Sequence, residues 1–395
     1  VTKLINTTDM KRTNLIARMI ISTLLIPLVL IMTTLACQHA GSGQQEGQSE
    51  NPENAEEAGN GEHQAKVKNI ILMIGDGMGL AHLYAGYTAQ KGVLNITSIP
   101  YIGIKKTNSS DNYITDSAAS GTAISTGKKT KNGMLGMGPD STKLKTILEL
   151  AEEYGLATGV ISTSSITHAT PASFVSHQVS RHMPEAIAYD FFKSDIDLFI
   201  GGGKKYFAER SDQANLIDSL EAKDFEVLTD IQKIKNFDGG KLAGLLAEEH
   251  IPRYSEGRGE MLPVSTETAI HALQDNQKGF FLMVESSQID WGGHANDTEY
   301  IVEEVIDFDN AVEKALDFAR EDGETLVIVT ADHETGGFSV DKGNLEKGEI
   351  TGKFTTDGHT GLWVPVYAYG PGATSFTGFY DNTDLFVKMK SAFGF

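Results

Sequence analysis

The sequence predicts an α/β protein with a central, mostly parallel sheet sandwiched by helices and carrying peripheral loop insertions. Four short, continuous apolar runs rich in β-branched residues have the composition of strands buried on both faces. These runs are residues 69–77 (NIILMIGDG), 157–165 (ATGVISTSS), 279–290 (GFFLMVESSQID) and 325–333 (TLVIVTADH). Helical patterns lie between them, and alternation of strand and helix favours a parallel sheet with helices on both faces.

Two helices have recognisable ends. Residues 143–155 place apolar side chains on one face, and Gly155 is typical of the residue that follows a helix. A second helix is predicted from about 299 to 320, with an asparagine or aspartate at 296–297 near its start and Gly323 beyond its end.

The segment from about 183 to 265 is less regular. It contains an apolar strand followed by a triple glycine within residues 195–207 (DIDLFIGGGKKYF), and then a helix and a further strand within 211–228. The rest of this segment is expected to form peripheral loops.

Composition and charge narrow the class of protein. The 395 residues are 40% hydrophobic and 22% charged, as in soluble globular proteins. The formal net charge of −20 argues against a nucleic-acid partner, because phosphate backbones require basic surfaces.

The N-terminal region predicts export. Basic residues at 11, 12 and 18 precede an uncharged apolar run at 19–36, and Cys37 follows as the sole cysteine. We interpret residues 1–36 as a signal peptide of the bacterial lipoprotein type, with Cys37 lipidated; a soluble secreted form and a retained membrane anchor are the alternatives. A lipidated Cys37 would tether the protein to the bacterial outer membrane, on its periplasmic side or at the cell surface.

Residues 37–66 predict a flexible tether. They are rich in Gly, Gln, Glu and Asn and contain almost no apolar side chains, so they cannot bury enough surface to offset the entropy of ordering. The folded domain is therefore expected to span residues 67–395.

Acidic and imidazole side chains follow the ends of the predicted strands. They are Asp76, Glu285, Asp290, Asp332 and His333. A single aspartate in such a place is most often a turn residue or a helix cap. Ligands bind outside the carboxyl ends of parallel strands, so several such residues should converge there, and their crowded carboxylates would require cations between them.

Three further residues extend this candidate metal site. His294 lies four residues after Asp290, and His359 lies in a loop flanked by glycines (GHTG). Imidazole and carboxylate without thiolate suit zinc, whereas oxygen ligands that include the hydroxyl of Thr170 suit magnesium. His177, in contrast, is expected to be a structural histidine.

Residues 113–126 (YITDSAASGTAIST) raise a separate question. Ser117 follows Asp116, and no histidine lies nearby in sequence to act as its base. Ser117 is either a nucleophile activated by distant residues or a small residue at the start of a helix.

Six motifs carry a resemblance to a known family. They are IGDGMG, TDSAASGTA, THATPA…SR, VESSQIDWGGH, VTADHETGGF and GHTG. Their order along the chain and their residue patterns are similar to those of bacterial and animal alkaline phosphatases. The resemblance extends from residue 69 to about 373 and is faintest from about 183 to 260.

The resemblance implies two Zn²⁺ ions and one Mg²⁺ ion. The first zinc would be held by Asp290, His294 and His359. The second would be held by Asp76, Asp332 and His333, with Ser117 as the ligand that reacts. The magnesium would be held by Asp76, Thr170 and Glu285.

The resemblance also implies the reaction. Residues 67–395 would form a catalytic domain that hydrolyses small phosphate monoesters to an alcohol and inorganic phosphate, through a phosphoserine at Ser117. Arg181 would fork onto two phosphate oxygens, a geometry that a guanidinium provides better than lysine. A homodimer is implied as well. The sequence leaves open which of the remaining residues of the 183–265 segment form peripheral loops and which form dimer contacts.

Two positions depart from the best-known enterobacterial enzyme. His168 and Trp291 stand where that enzyme has aspartate and lysine, and we assign both to the phosphate-binding side of the site. His168 makes zinc a possible third ion. Loss of the lysine removes a cation that would hold phosphate, which favours faster product release.

The sequence is also compatible with two other functions. A phosphodiesterase, sulfatase or mutase of the same superfamily is one alternative, although DSAAS does not fit the sulfatase nucleophile pattern. The other is a non-catalytic, lipid-anchored protein in which metals only stabilise the fold.

Overall fold

The computed structural model describes residues 67–395. The predicted signal peptide, tether and Cys37 lie outside the described residues. Within the described part, the strands are β1 Asn69–Gly75, β2 Tyr101–Lys106, β3 Ala157–Ser165, β4 Leu198–Gly202, β5 Phe225–Leu228, β6 Lys241–Leu245, β7 Phe280–Ser286, β8 Thr325–Thr330, β9 Glu334–Thr335, β10 Ser339–Asn344, β11 Glu349–Lys353, β12 His359–Thr360, β13 Val364–Tyr369 and β14 Gly378–Asp381.

Ten of these strands form one sheet, which confirms the predicted fold class. Their order is β14-β2-β13-β8-β1-β7-β3-β4-β6-β5. In this sheet β13 is antiparallel to both β2 and β8, and the other pairings are parallel. The remaining strands form two small antiparallel ribbons, β10–β11 and β9–β12.

Helices surround the sheet. They are α1 Leu80–Ala89, α2 Ser117–Thr126, α3 Ile147–Tyr154, α4 Ala169–Val175, α5 Pro184–Lys193, α6 Lys205–Ala208, α7 Leu216–Glu221, α8 Ile231–Lys235, α9 Met261–Leu273, α10 Gln288–His294, α11 Thr298–Asp322 and α12 Asp384–Phe393. Short 3₁₀ turns occupy Asn95–Ser98, Tyr254–Glu256 and Ala373–Phe376.

The central strands are buried on both faces, which explains their continuous apolar sequences. In β1, Ile71 and Met73 pack in one apolar cluster with residues of α9 and α11. Ile70 and Leu72 pack in a second cluster on the opposite face, with residues of α3 and α4. Successive side chains of a strand point to opposite faces, so a strand covered on both sides needs apolar residues throughout.

Two predicted boundaries were wrong. The strand predicted for 279–290 ends at Ser286, and Asp290 lies in the first turn of α10. The helix predicted for 143–155 begins at Ile147, because Thr146 and Glu149 cap its start reciprocally. In that cap, the backbone N–H of Glu149 donates to Thr146 Oγ1 at 3.1 Å, and the N–H of Thr146 donates to Glu149 Oε2 at 2.8 Å.

The predicted helix ends agree with the structure. Gly155 and Gly323 adopt φ values of 79° and 72° directly after α3 and α11. The side chain of Asp297 caps the start of α11 by accepting from two backbone N–H groups.

The segment 183–265 is more ordered than predicted. It contributes β4, β5 and β6 to the main sheet, and α5 buries Ile187, Ala188 and Phe191 in the apolar cluster on one face of that sheet. Within residues 67–395, no helix is both long and apolar enough to cross a membrane.

Candidate active site

Acidic residues converge at the carboxyl edge of the sheet. Asp76 follows β1, Glu285 lies near the end of β7, and Asp332 and His333 follow β8. The register pairs Ile74 in β1 with Glu285 in β7, so these strand ends are level with one another. All four polar side chains are buried.

The first group of side chains contains Asp76, Asp332 and His333. Their ligand atoms lie within 4.8 Å of one another. Ser117 begins helix α2 beside this group, and its Oγ lies 3.3 Å from His333 Nε2. The two alternatives that the sequence offered for Ser117 therefore occur together: it begins a helix, and it also faces side chains that could hold a metal ion.

The second group contains Asp290, His294 and His359, again within 4.8 Å of one another. The Nε2 atoms of the two histidines are 3.2 Å apart, and each lies within 3.5 Å of an Asp290 carboxylate oxygen. The β9–β12 ribbon places His359 opposite Thr335. Two imidazoles and a carboxylate without thiolate form a donor set that suits zinc.

The third group contains Asp76, Glu285 and His168. Thr170 lies beside it, with Oγ1 3.5 Å from Asp76 Oδ2. The sequence analysis assigned His168 to the phosphate-binding side and gave it as the reason for zinc as a possible third ion, and the structure brings its ring to the Asp76–Glu285 pair. Three of the four side chains offer oxygen and the fourth offers nitrogen.

Several buried atoms of these groups have no hydrogen-bond partner among the described residues. They are Asp76 Oδ1, Asp332 Oδ2, Glu285 Oε1 and His168 Nδ1. Buried polar atoms without partners are costly, so the three unpartnered carboxylate oxygens, which all belong to the first and third groups, fit cations that complete their coordination. The residues present therefore fit divalent metal ions.

Burial and mutual repulsion also act on the carboxyl groups. Burial, followed by the charges of Asp332, Asp290 and Glu285, raises the pKa of Asp76 well above its ordinary value. Burial raises the pKa of Glu285 to about 7. Carboxyl groups in this state favour either protons or metal ions, because both remove the uncompensated charge.

The histidines respond to their surroundings in opposite directions. Burial lowers the pKa of His333 to about 4 and that of His168 to about 3, so both rings are neutral near pH 7. The hydrogen bond with Asp290 raises the pKa of the more exposed His294 to about 9. Neutral imidazole is the form that ligates metals.

Arg181 is held beside the serine. Its Nη1 donates to Asp116 Oδ2 at 3.1 Å, and its Nη2 lies 3.2 Å from His168 Nε2. Asp116 also accepts from the backbone N–H groups of Ala119 and Gly133. Asp116 therefore both positions the arginine and caps α2.

The other predicted residues occupy distinct places. Trp291 lies on α10 next to Asp290, with its ring centroid 6.1 Å from that of His168. His177 lies outside the three groups, where its ring contacts Glu149 Oε1 at 3.0 Å and the carbonyl of Gly136 at 2.7 Å. This agrees with the structural role predicted for His177.

Sequence reasoning missed the hydroxyl groups that orient the carboxylates. Ser162 and Ser287 each donate to Glu285 Oε2 at 2.5 Å, which leaves Oε1 directed elsewhere. Thr335 donates to Asp290 Oδ1 and also lies 3.3 Å from His333 Nδ1. In the sequence, the only indication of these hydroxyl groups near the carboxylates was the run of serines at the end of β3 and in VESSQ. For Thr335 the indication was its position two residues after His333.

These features define the class of the protein. A serine at a helix N-terminus faces clusters of carboxylate and imidazole that fit divalent metals, and an arginine lies beside it. The parallel sheet collects these groups at one edge. The protein is an α/β enzyme with a site suited to metal-assisted transfer of a phosphoryl group.

The chain belongs to the alkaline phosphatase family. The family profile, described as "Alkaline phosphatase", matches residues 67–353. Alkaline phosphatase 3 of Bacillus subtilis is 35% identical over 84% of this chain and 90% of that protein. Alkaline phosphatase of Escherichia coli K12 is 33% identical over 83% of this chain and 86% of that protein.

Solved structures agree with this assignment. Alkaline phosphatase from the Antarctic bacterium TAB5 has a TM-score of 0.78 and 44% identity, covering 84% of this chain and 98% of that one. A histidine-to-aspartate variant of the TAB5 enzyme, with 42% identity, has magnesium bound in its M3 site. Members of the family use divalent metals and hydrolyse phosphate monoesters, and this chain is a phosphatase.

The contact between Thr335 and Asp290 yields a test. We expect Thr335→Val to lose metal faster than the wild-type enzyme, by about tenfold, because an unsatisfied buried carboxylate oxygen costs about 1–3 kcal/mol. The loss is measured as the rate at which divalent metal is released to a chelating dye. Thr335→Ser keeps the hydroxyl and is expected to behave like wild type. Equal release rates for all three proteins would exclude this role for the hydroxyl.

Proposed function

We propose that this chain hydrolyses small phosphate monoesters with Ser117 as the nucleophile, by way of a phosphoserine. The observation that carries the proposal is the position of the Ser117 hydroxyl. It lies 3.3 Å from His333 Nε2, beside the Asp76–Asp332–His333 group and at the N-terminus of α2. A nucleophile needs an activator, and clustered metal ligands supply a place for one.

The metal content that we propose is two Zn²⁺ and one Mg²⁺. The Asp290–His294–His359 and Asp76–Asp332–His333 groups would hold zinc, and Asp76, Thr170 and Glu285 would hold magnesium. The approach of His168 to the third group supports zinc as an alternative ion there. When bound, such ions would lower the pKa of a coordinated hydroxyl and offset the charge of the phosphoryl group.

Ser117 would act as the nucleophile, and Arg181 would bind the phosphoryl group. The Ser117 hydroxyl would lose its proton to solvent, its oxygen would bond to phosphorus as the bond from phosphorus to the alcohol oxygen breaks, and the departing alkoxide would take a proton from water. Water would later attack the phosphoserine, the bond from phosphorus to Ser117 Oγ would break, and Oγ would regain a proton as inorganic phosphate leaves. Arg181 would donate to two non-bridging oxygens from the position fixed by Asp116. The N-terminus of α2 would add backbone donors that favour an anion.

Asp116 does not serve as the general base in this scheme. Its two oxygens already accept from Arg181 and from the N–H groups of Ala119 and Gly133. His168 and Trp291 would line the phosphate-binding side, where the T-shaped contact of their rings supports a shared wall.

We also propose an exported, lipid-anchored protein. The support is in the sequence, where the apolar run at 19–36 leads to the sole cysteine, Cys37, and a polar stretch follows to residue 66. Contact with a membrane would then be made only through the lipid, with the enzyme periplasmic or at the cell surface. The acidic charge of −20 supports small phosphate esters rather than nucleic acid as partners.

A homodimer is the assembly that we propose. Apolar side chains are exposed together near the β2–β14 edge of the sheet, and a groove of about 390 Å³ lies among them. They include Leu80, Ile104, Tyr113, Leu362 and Trp363, and the ring of Trp363 lies 4.4 Å from that of Phe379. An exposed apolar patch of this kind is typical of a protein–protein interface.

Substrate choice is tested with p-nitrophenyl phosphate and its bis-ester. We expect the purified, zinc-replete protein to hydrolyse the monoester at least about a hundredfold faster than the diester, because Arg181 and the metals can engage three terminal oxygens only on a monoester. Chelation should abolish the activity, and added zinc should restore it. Preference for the diester would indicate a phosphodiesterase, and no turnover of either would favour the non-catalytic alternative.

The nucleophile is tested by Ser117→Ala. We expect this variant to lose covalent labelling by ³²P-phosphate at low pH and to retain its metal content, since the other ligands remain. Ser110→Ala changes an exposed serine on the preceding loop and serves as the control. If Ser117→Ala still became labelled, a different residue would be the nucleophile.

A further inference from the structure

His250 lies in a group of three aromatic rings beside the phosphate-binding side of the site. Its ring centroid is 4.9 Å from that of Trp291 and 5.7 Å from that of His168, and the interplanar angles are 84° and 85°. Trp291 and His168 are themselves at 87°. All three contacts are therefore edge-to-face, which is a favoured geometry for aromatic pairs.

A backbone hydrogen bond fixes the His250 ring. The N–H of Ser165, the last residue of β3, donates to His250 Nδ1 at 3.1 Å. In a neutral imidazole the other nitrogen, Nε2, then carries the proton. One edge of the ring is thus attached to the sheet, while its neighbours Trp291 and His168 lie on the site.

The triple glycine of residues 201–203 makes room for the loop that carries His250. A Cβ on Gly202 would overlap the carbonyl oxygen of Glu249, and Gly203 has φ 91° with Ser165 Oγ in the space of its missing side chain. Leu246 N donates to Gly201 O at 2.8 Å, so the backbones are in direct contact. The glycines let the loop reach the end of β3.

The same loop is tied to the helix that carries Trp291. Gln288, in the first turn of α10, donates from Nε2 to Ile251 O at 2.8 Å and to Thr163 O at 2.9 Å. Tyr300 holds this amide by donating to Gln288 Oε1 at 2.7 Å. His250 and Trp291 are therefore fixed relative to each other by buried polar contacts as well as by their rings.

The chain of contacts continues to the arginine. His168 lies between His250 and Arg181, with its Nε2 3.2 Å from Arg181 Nη2. We propose that His250 is a positioning residue, which holds Trp291 and His168 in the wall of the phosphate site and, through His168, orients Arg181. This inference rests on the proposed function. The loop that carries His250 lies outside the six sequence motifs, and the inference gives this loop a role in phosphate binding.

The kinetic test compares His250→Ala with the wild-type, metal-replete enzyme. We expect KM for p-nitrophenyl phosphate and Ki for inorganic phosphate to rise about three- to tenfold, with kcat changed less than about twofold, because edge-to-face ring contacts are lost while the nucleophile stays in place. His250→Phe keeps the ring and should reverse part of the rise in both constants, short of the wild-type values because it lacks the acceptor for the Ser165 N–H. His271→Ala, an exposed histidine on α9, is the control.

A spectroscopic readout tests the packing without relying on activity. The chain has two tryptophans, so 5-fluorotryptophan labelling should give two ¹⁹F resonances, assigned with Trp363→Phe. We expect His250→Ala to shift the Trp291 resonance and to leave the Trp363 resonance in place, and His250→Phe to reverse most of the shift.

The outcomes that overturn the proposal are distinct. Unchanged KM and Ki in His250→Ala would overturn it even if the melting temperature fell, and so would a lower kcat at constant KM. An unmoved Trp291 resonance would overturn the packing that the proposal requires. If the wild-type protein had no monoesterase activity, the proposed function would fail, and the ¹⁹F spectra would still decide whether His250 holds Trp291.

Discussion

The structure depends on the burial of several carboxylates at one edge of a parallel sheet. Asp76, Glu285 and Asp332 are fully buried, and each has an oxygen without a hydrogen-bond partner among the described residues. Charges in such surroundings cost several kcal/mol each unless opposite charge lies beside them. Divalent metals supply that charge, so the same ions that complete the fold of this edge also create a site for an anionic substrate. Stability and activity are in this way consequences of one electrostatic requirement.

The chain meets this requirement with neutral groups around the charged ones. Serine hydroxyls hold one oxygen of Glu285, and Thr335 holds one oxygen of Asp290. Such donors orient a carboxylate without cancelling its charge, which leaves the other oxygen available to a cation. Among the described residues, Arg181 lies at the site and forms its ion pair with Asp116, not with a carboxylate of the three ligand groups. The cationic side chain that would bind the phosphate is therefore separate from the carboxylates that would bind the metal ions.

Local sequence patterns predicted most of the sheet and the groups at its edge. The continuous apolar runs identified the central strands, and because parallel strands end together, Asp76, Glu285 and Asp332 could be expected to meet. The place of Asp290 was harder, because the apolar run before it does not reveal that the strand stops at Ser286 and a short helix follows. The approach of His168 and His250 to the site depends on how β3, β6 and their loops pack, and such contacts between distant segments leave no periodic pattern. The resemblance to alkaline phosphatases supplied the ligand sets, which spacing alone left open.

Elemental analysis of the purified, metal-replete protein measures whether metal ions neutralise the buried carboxylates. We expect about two tightly bound zinc ions per chain with one further ion, magnesium or zinc, and a fall in the melting temperature when all are removed, since the buried carboxylates lose their counter-charge. A protein that folds to the same stability with fewer than two tightly bound divalent ions per chain would show that metal does not neutralise these carboxylates.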